Sequence, residues 1–168
     1  MRKALVLVAG LALVATTAQA QIEPGDKAVT IFGNLTITDN YNSGTIGAGL
    51  NQYFTNYLGL RVLSVINMSS DGQGGTTTFT QVGGGLEVDL APRGAKSMPY
   101  LFADFMVAAS SVSGSESTTD FTPGVGFRTF MSRQASFYVQ ASYKSGENGA
   151  SGSTTVDFGL QYFFGKKR

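Results

Sequence analysis

The chain has 168 residues, and its twelve Lys and Arg nearly balance its eleven Asp and Glu. This balance excludes the strongly basic surface that nucleic-acid binding requires. The absence of cysteine excludes a disulfide-stapled scaffold and removes one of the usual ligands of zinc.

The first twenty residues have the pattern of a secretory signal peptide. Arg2 and Lys3 precede an apolar run from Ala4 to Ala15, and Ala-Gln-Ala at 18–20 offers the small residues that a signal peptidase requires. The run is too short to cross a bilayer as a helix. We therefore predict a cleaved signal peptide at 1–20 and one domain over 21–168, in which ten Lys and Arg face eleven Asp and Glu.

Eight stretches of the mature chain alternate apolar and polar residues with a period of two, as a strand with two different faces does. They lie near 27–39, 43–53, 57–69, 76–90, 98–112, 119–130, 135–145 and 154–164. No stretch has helical periodicity, and turn residues separate the strands. The pattern predicts an antiparallel up-and-down meander.

The connections between these strands differ at the two ends of the meander. Those after strands two, four and six are tight, as in FTN at 54–56. Those after strands three, five and seven are looser and rich in Gly and Ser, as in GENGASGS at 146–153. Short turns at one end and longer loops at the other are typical of outer-membrane barrels.

The two strand faces differ in charge. Alternate residues of 29–37 and 101–109 form a face without Lys, Arg, Asp or Glu, while the other face carries small residues with isolated charges, such as Gly83, Gly85 and Glu87. A soluble surface carries about 25–35% charged residues, which the second face lacks. Because a cation at the bilayer midplane costs about 2–4 kcal/mol, we predict that the uncharged face contacts lipid.

Aromatic residues and loop acids gather at opposite ends of the meander. The aromatic residues near the tight turns are Tyr53, Phe54, Tyr57, Tyr100, Phe102, Phe130, Phe137, Tyr138, Tyr162, Phe163 and Phe164. They predict a girdle at the membrane interface. The acids assigned to the longer loops are Asp71, Glu116, Asp120 and Glu147, and we expect them to be exposed.

The last strand, VDFGLQYFF at 156–164, completes a pattern that resembles the small eight-stranded outer-membrane β-barrels of Gram-negative bacteria. This group includes the transmembrane domain of outer membrane protein A and the opacity-type barrels. The resemblance implies an all-β, closed, antiparallel up-and-down transmembrane barrel in the bacterial outer membrane, in contact with its lipids and lipopolysaccharide. In that family the last strand carries a signal for the barrel assembly machinery, a terminal aromatic with Tyr two positions before it, which Tyr162 and Phe164 match.

A barrel of eight strands encloses a lumen that side chains can fill. The charged residues predicted to face it are Arg61, Glu87, Asp89, Asp104, Arg128, Lys144 and Asp157. Because an isolated buried charge is costly, these residues should pair. We favour a salt-bridged plug, and the alternative for the same residues is a narrow gated ion path.

The chain contains no histidine. Enzymes on comparable outer-membrane barrels use a His as base or acid, and a lone Ser is a weak nucleophile without one. We therefore predict no enzymatic activity, no cofactor, no metal site and no nucleic-acid partner. The predicted role is structural, in membrane integrity, or in surface interaction through loops that contact host or surface ligands. Besides the ion channel, a soluble periplasmic carrier of apolar ligands is an alternative.

Overall fold

The structure is a computed structural model that describes residues 22–37, 42–70, 75–92, 94–109, 119–144 and 153–165. Its strands are β1 (Lys27–Ile37), β2 (Asn42–Tyr53), β3 (Leu58–Ser70), β4 (Thr76–Asp89), β5 (Ser97–Ala109), β6 (Thr119–Phe130), β7 (Ala135–Lys144) and β8 (Ser153–Phe164). The predicted ends at 39, 112 and 145 lie outside the described residues, as does the predicted signal peptide. The other predicted ends agree with the structure to within one residue.

Each strand pairs antiparallel with its neighbours in the chain, and β1 pairs with β8 to close the barrel. Closure gives every strand a neighbour on both sides, so the sheet has no edge strand. The predicted fold class, a closed eight-stranded antiparallel up-and-down barrel, is confirmed. In the part of the chain that the structure describes, no helix is long and apolar enough to cross a membrane.

The barrel is apolar outside and holds its buried charges inside. Ile31, Leu35 and Phe105 point outward and are more than half exposed, whereas Arg61 and Arg128 point inward and are almost fully buried. This is the reverse of a soluble protein, in which charged side chains are rarely fully buried and large apolar ones rarely cover the surface. It is the arrangement of a barrel whose outer face contacts lipid.

Five interior aromatic rings each lie over a glycine directly opposite on the neighbouring strand. The pairs are Phe32–Gly47, Tyr53–Gly59, Tyr100–Gly126, Phe102–Gly124 and Tyr138–Gly159. In each pair, a Cβ atom built on the glycine has the facing ring as its nearest neighbour, in contact or overlapping with it. The glycines therefore let large rings lie flat against the wall of a narrow barrel.

The predicted aromatic girdle is wrong for about half of its residues. Six of them are buried inside the barrel, namely Tyr53, Tyr100, Phe102, Phe130, Tyr138 and Phe163, while Phe54, Tyr57, Tyr162 and Phe164 are exposed on the outside. The reason is alternation along a strand. Tyr100 and Phe102 have the same parity as Asp104, so they enter the lumen with it. Position near one end of the barrel does not determine which face a side chain occupies.

Two seams in the wall are only partly paired. The backbone pairing of β1 with β8 ends at Gly33 and Phe158, although both strands continue toward the loop end. Register between β6 and β7 ends at Gly124, next to Pro123, which has no amide hydrogen to donate. Among the described residues, both interruptions lie in the half of the barrel nearer the loops.

Candidate functional site in the barrel interior

Arg128 is the most buried cation of the interior. Its side chain, 1% exposed, reaches from β6 to two carboxylates of β4, two strands away: Nη1 donates to Asp89 Oδ1 at 3.1 Å, and Nη2 donates to Glu87 Oε1. The guanidinium also lies 4.8 Å from the centre of the Tyr100 ring, within range of a cation–π interaction. Arg128 thus has charged partners and an aromatic face in place of water.

Arg61 supplies the second buried cation from β3. Its Nη1 lies 3.8 Å from Glu87 Oε2 and its Nε lies 3.7 Å from Asp104 Oδ1. These distances exceed hydrogen-bond length, and the hydrogen bond that Arg61 does donate runs from Nη2 to Gln140 Oε1 at 3.3 Å. The guanidinium lies 4.5 Å from the centre of the Phe102 ring. Arg61 is therefore held more loosely by its carboxylates than Arg128.

Glu87 connects the two arginines. Besides Arg128, its carboxylate accepts hydrogen bonds from the Tyr53 hydroxyl at 2.7 Å and from Asn51 Nδ2 at 3.4 Å. A buried carboxylate is stable when cations and hydrogen-bond donors surround it in this way. We call Arg61, Glu87, Asp89 and Arg128 the plug.

Apolar side chains close the barrel below the plug, at the end with the tight turns. This cluster consists of Ile22, Ala28, Tyr53, Ala91, Met98, Phe130 and Phe163. The ring centres of Phe130 and Phe163 are 5.3 Å apart, and those of Tyr53 and Phe163 are 5.9 Å apart. Charge pairs and packed rings therefore fill the lumen from its middle to this end.

A cavity of about 260 Å³ lies above the plug, in the half of the barrel nearer the loops. We call it the cup. Carboxylates of Asp104, Asp120 and Asp157 line it, together with the aromatic rings of Phe32, Phe79 and Phe102. Its upper wall carries short polar side chains, among them Thr45, Ser142, Ser153 and Thr155.

Asp120 is not a loop acid, so its predicted place is wrong. It is the second residue of β6, is 5% exposed, and faces the lumen. Its Oδ2 accepts hydrogen bonds from Lys144 Nζ at 2.6 Å and from Gln81 Nε2 at 2.8 Å. The strand already begins at Thr119, and Asp120 has the inward parity of Arg128. Lys144, whose side chain is 45% exposed, reaches down to it from the rim.

The structure brings the seven charged residues predicted for the lumen into the interior, but in two layers. Arg61, Glu87, Asp89 and Arg128 form the plug, while Asp104 and Asp157 line the cup and Lys144 stands at its rim. Whether they plug the barrel or conduct ions stays a prediction. Asp71, Glu116 and Glu147 lie outside the described residues. Tyr162 and Phe164 lie on the outer face at the end of β8.

Several polar partners of these charges were missed from sequence. They are Asn34, Asn51, Tyr53, Gln81, Tyr100 and Gln140. Gln81, Tyr100 and Gln140 have the same parity as a lumen charge on their own strand, so their face was readable. β1 and β2 carry no lumen charge that would mark the face of Asn34, Asn51 and Tyr53. The contacts between these amides and the charges depend on the register of all the strands that separate them. Local sequence patterns do not determine that register. No group of three His, Cys, Asp or Glu in the described part of the chain could hold a metal ion.

No protein-family model matches the sequence, and no curated relative matches it either. Solved structures do match. The N-terminal β-barrel domain of Pseudomonas aeruginosa OprF superposes with a TM-score of 0.65 at 13% identity, over 85% of this chain and 100% of that one. The fold is that of a transmembrane β-barrel. The outer membrane protein Ail of Yersinia pestis, solved in a phospholipid bilayer nanodisc, gives a TM-score of 0.61 at 12% identity, over 83% and 99% of the two chains.

A de novo designed transmembrane β-barrel also matches, with a TM-score of 0.55 at 23% identity, over 86% of this chain and 99% of the design. Identities this low establish the fold and nothing finer. The predicted resemblance to small outer-membrane barrels is confirmed at the level of the fold, and it supports the predicted location in the bacterial outer membrane.

Proposed function

We propose that this chain is an integral outer-membrane barrel with a closed lumen, which acts in membrane integrity or surface interaction and does not carry solutes. The observation that carries this proposal is the plug. Glu87 joins two buried arginines, and an apolar cluster packs beneath them. A barrel of eight strands is narrow enough for side chains to fill it. A closed lumen leaves the outer wall and the loops as the working surfaces.

The outer wall contacts lipid in this proposal, and the assembly machinery reads Tyr162 and Phe164 at the end of β8. Support comes from their exposure on the outer face beside other apolar side chains such as Leu160. We assign no catalytic role to the chain, because it offers no histidine to activate a nucleophile.

The longer loops are proposed to meet lipopolysaccharide or host ligands. Asp71, Glu116 and Glu147 give them acidic groups, and the loop segments 70–76, 113–119 and 146–153 contain no Lys or Arg, which suits contact with lipopolysaccharide phosphates through divalent cations. Purified protein should then bind lipopolysaccharide less well after a chelator is added. Unchanged binding in chelator would remove this part of the proposal.

A narrow gated ion path is the second candidate, and one observation favours it. Arg61 lies 3.8 Å from Glu87 and 3.7 Å from Asp104, so neither carboxylate holds it by a close hydrogen bond, and Asp104 already lines the cup. Movement of this guanidinium would extend the cavity of the cup downward, into the space that the plug fills. Arg128, by contrast, makes close contacts to both of its carboxylates.

Single-channel recording on the refolded mature protein separates the two candidates. Each preparation is checked by the heat-dependent shift of its gel band, which reports barrel folding, and by the amount of protein in the bilayer. The plugged barrel predicts silence from the parent protein and from Arg133→Ala, a control at an exposed turn. Discrete openings in the parent that change in size or frequency with Arg61→Ala would replace the plug with the gated path.

A second measurement addresses the role itself. Cells that lack the protein should admit large antibiotics and detergents more readily, and expression of the parent protein should restore exclusion. Equal permeability with and without the protein would leave surface interaction as the proposed role.

A further inference from the structure

Negative charge exceeds positive charge in the interior. The carboxylates that face inward are Glu87, Asp89, Asp104, Asp120 and Asp157, and the cations are Arg61, Arg128 and Lys144. Five anions and three cations leave two negative charges without a cation among the described residues. Because a buried charge without a counter-charge is costly, the excess carboxylates favour either a proton or a bound cation.

The excess is located in the cup. Arg128 lies against Glu87 and Asp89 in the plug, and Lys144 pairs with Asp120 at the rim. Arg61, the remaining cation, lies between Glu87 and Asp104. The two carboxylates that are least neutralised are therefore Asp104 and Asp157.

Asp104 has an unused acceptor. It is 4% exposed, and its Oδ1 accepts no hydrogen bond among the described residues, with Arg61 Nε 3.7 Å away. The carboxylate lies against Gly85, where a side chain would displace it. A buried carboxylate oxygen without a donor is uncommon in native structures, and here it lines a cavity.

Asp157 is held by uncharged groups. Its Oδ1 accepts from Asn34 Nδ2 at 2.5 Å, and its Oδ2 accepts from Gln140 Nε2 at 3.2 Å. The two amides fix the carboxylate in place without neutralising it. Asp157 lines the same cavity as Asp104.

Part of the cup wall is apolar, beside the polar side chains already named. Phe32, Phe102 and Met106 line it between the two carboxylates and the rim. Carboxylates beside aromatic rings form a site suited to an organic ammonium ion, whose charge meets the acids while its carbon body packs on the rings. A divalent metal prefers several oxygen ligands converging on one point, and the described residues hold no such group.

We propose that the cup binds a small organic cation, a primary ammonium with a short apolar body. The ammonium lies between Asp104 and Asp157, where it supplies the missing positive charge, and the body lies against Phe102 and Met106. This site borders the plug at Arg61, on the side nearer the loops, and requires no passage through the barrel. It adds ligand binding from the loop side to the closed barrel described above.

Calorimetric titration of the full mature chain in detergent micelles tests the proposal. The probe is butylammonium at neutral pH, and butanol serves as the uncharged compound of similar size. We expect saturable binding of butylammonium alone, weakened about tenfold or more by Asp104→Asn and by Asp157→Asn, since each substitution removes a charge-assisted hydrogen bond. The matched control is Asp89→Asn, which removes the same charge from the plug, outside the cup, and should change affinity less than about threefold.

A measurement on the unmodified protein makes the test independent of how well the variants fold. Addition of butylammonium should shift the side-chain amide NMR signals of Asn34 and Gln140, which contact Asp157. The signal of Asn51, which donates to Glu87 of the plug, should not move. Three results would overturn the proposal: no saturable binding, equal binding of butanol, or the same loss of affinity in Asp89→Asn as in Asp104→Asn. Equal affinity for sodium ion would also overturn it, because the apolar wall would then contribute nothing.

Discussion

Replacement of Arg128 by Met tests whether the plug is a paired network or merely a filled space. Methionine keeps an unbranched apolar stem of similar reach but removes the charge, so Glu87 loses its closest cation and Asp89 loses its Nη1 donor at 3.1 Å. Breaking a buried ion pair on one side typically costs about 3–5 kcal/mol, because a buried charge is left without its partner. The loss of the Tyr100 cation–π contact adds about 1 kcal/mol.

The free energy of unfolding can be measured by urea titration in lipid vesicles, followed by tyrosine near-ultraviolet circular dichroism, since the chain has seven tyrosines and no tryptophan. We expect Arg128→Met to lower it by about 4–6 kcal/mol, the sum of the two losses. The double variant Arg128→Met with Glu87→Gln should recover about half of this loss, because it removes one of the two stranded charges. The exposed Arg133→Met should change stability by less than about 0.5 kcal/mol.

Two results would refute this reasoning about the plug. A loss of less than about 1 kcal/mol in Arg128→Met would mean that water or other side chains replace the guanidinium easily. A double variant at least as unstable as the sum of its single changes would mean that Glu87 is not stranded when Arg128 is absent.

Three further predictions concern the wall of the barrel. Gly126→Ala puts a methyl group into the facing Tyr100 ring and should lower the free energy of unfolding by about 1–3 kcal/mol in the same urea titration. The lipid-facing Gly44→Ala, whose methyl group would meet its nearest atom at 3.6 Å, should be nearly neutral. Equal losses in the two variants would contradict the packing of rings on glycines. Phe164→Ala should slow insertion by purified assembly machinery more than Phe158→Ala does, as seen in the rate at which the folded gel band appears, and equal rates would exclude a special role for the terminal aromatic. Amide hydrogens at residues 34–37 that point toward β8 should exchange with solvent faster than those in the β3–β4 ladder, because the pairing of β1 with β8 stops before them. Uniform protection from exchange would show that this seam is closed.

Much of the fold could be predicted because the signals that define the strands of a barrel are local in the sequence. Strand parity, turn residues and loop length lie within a few positions of each other, so Thr119–Phe130 and Ala135–Lys144 were predicted almost to the residue. The uncharged parity also identified the lipid-facing side. These features depend on neighbours in the chain and on the period of two.

The interior could be predicted only as a set of residues. Glu87 meets Arg128 and Tyr53 across the barrel, at separations of 41 and 34 residues, and those contacts depend on the stagger between all strands in between. Asp120 was misplaced although the predicted strand at 119–130 contained it: its carboxylate was grouped with the loop acids, and its inward parity was not applied. The prediction of the aromatic girdle failed because the clustering of aromatic residues at one end of the barrel was taken as evidence that they lie on its outer face.

The plug and the cup follow from one difference between the two halves of the lumen. In the half near the tight turns, long side chains such as Arg128 and Tyr100 point inward, and facing glycines such as Gly126 let the rings lie against the wall, so charged groups meet at the centre. In the half near the loops, short side chains such as Thr45 and Thr155 point inward and cannot reach across. A cavity therefore remains above a closed floor, with the acidic group of Asp104 at its base. This geometry favours a site that holds a ligand over a pore that passes one.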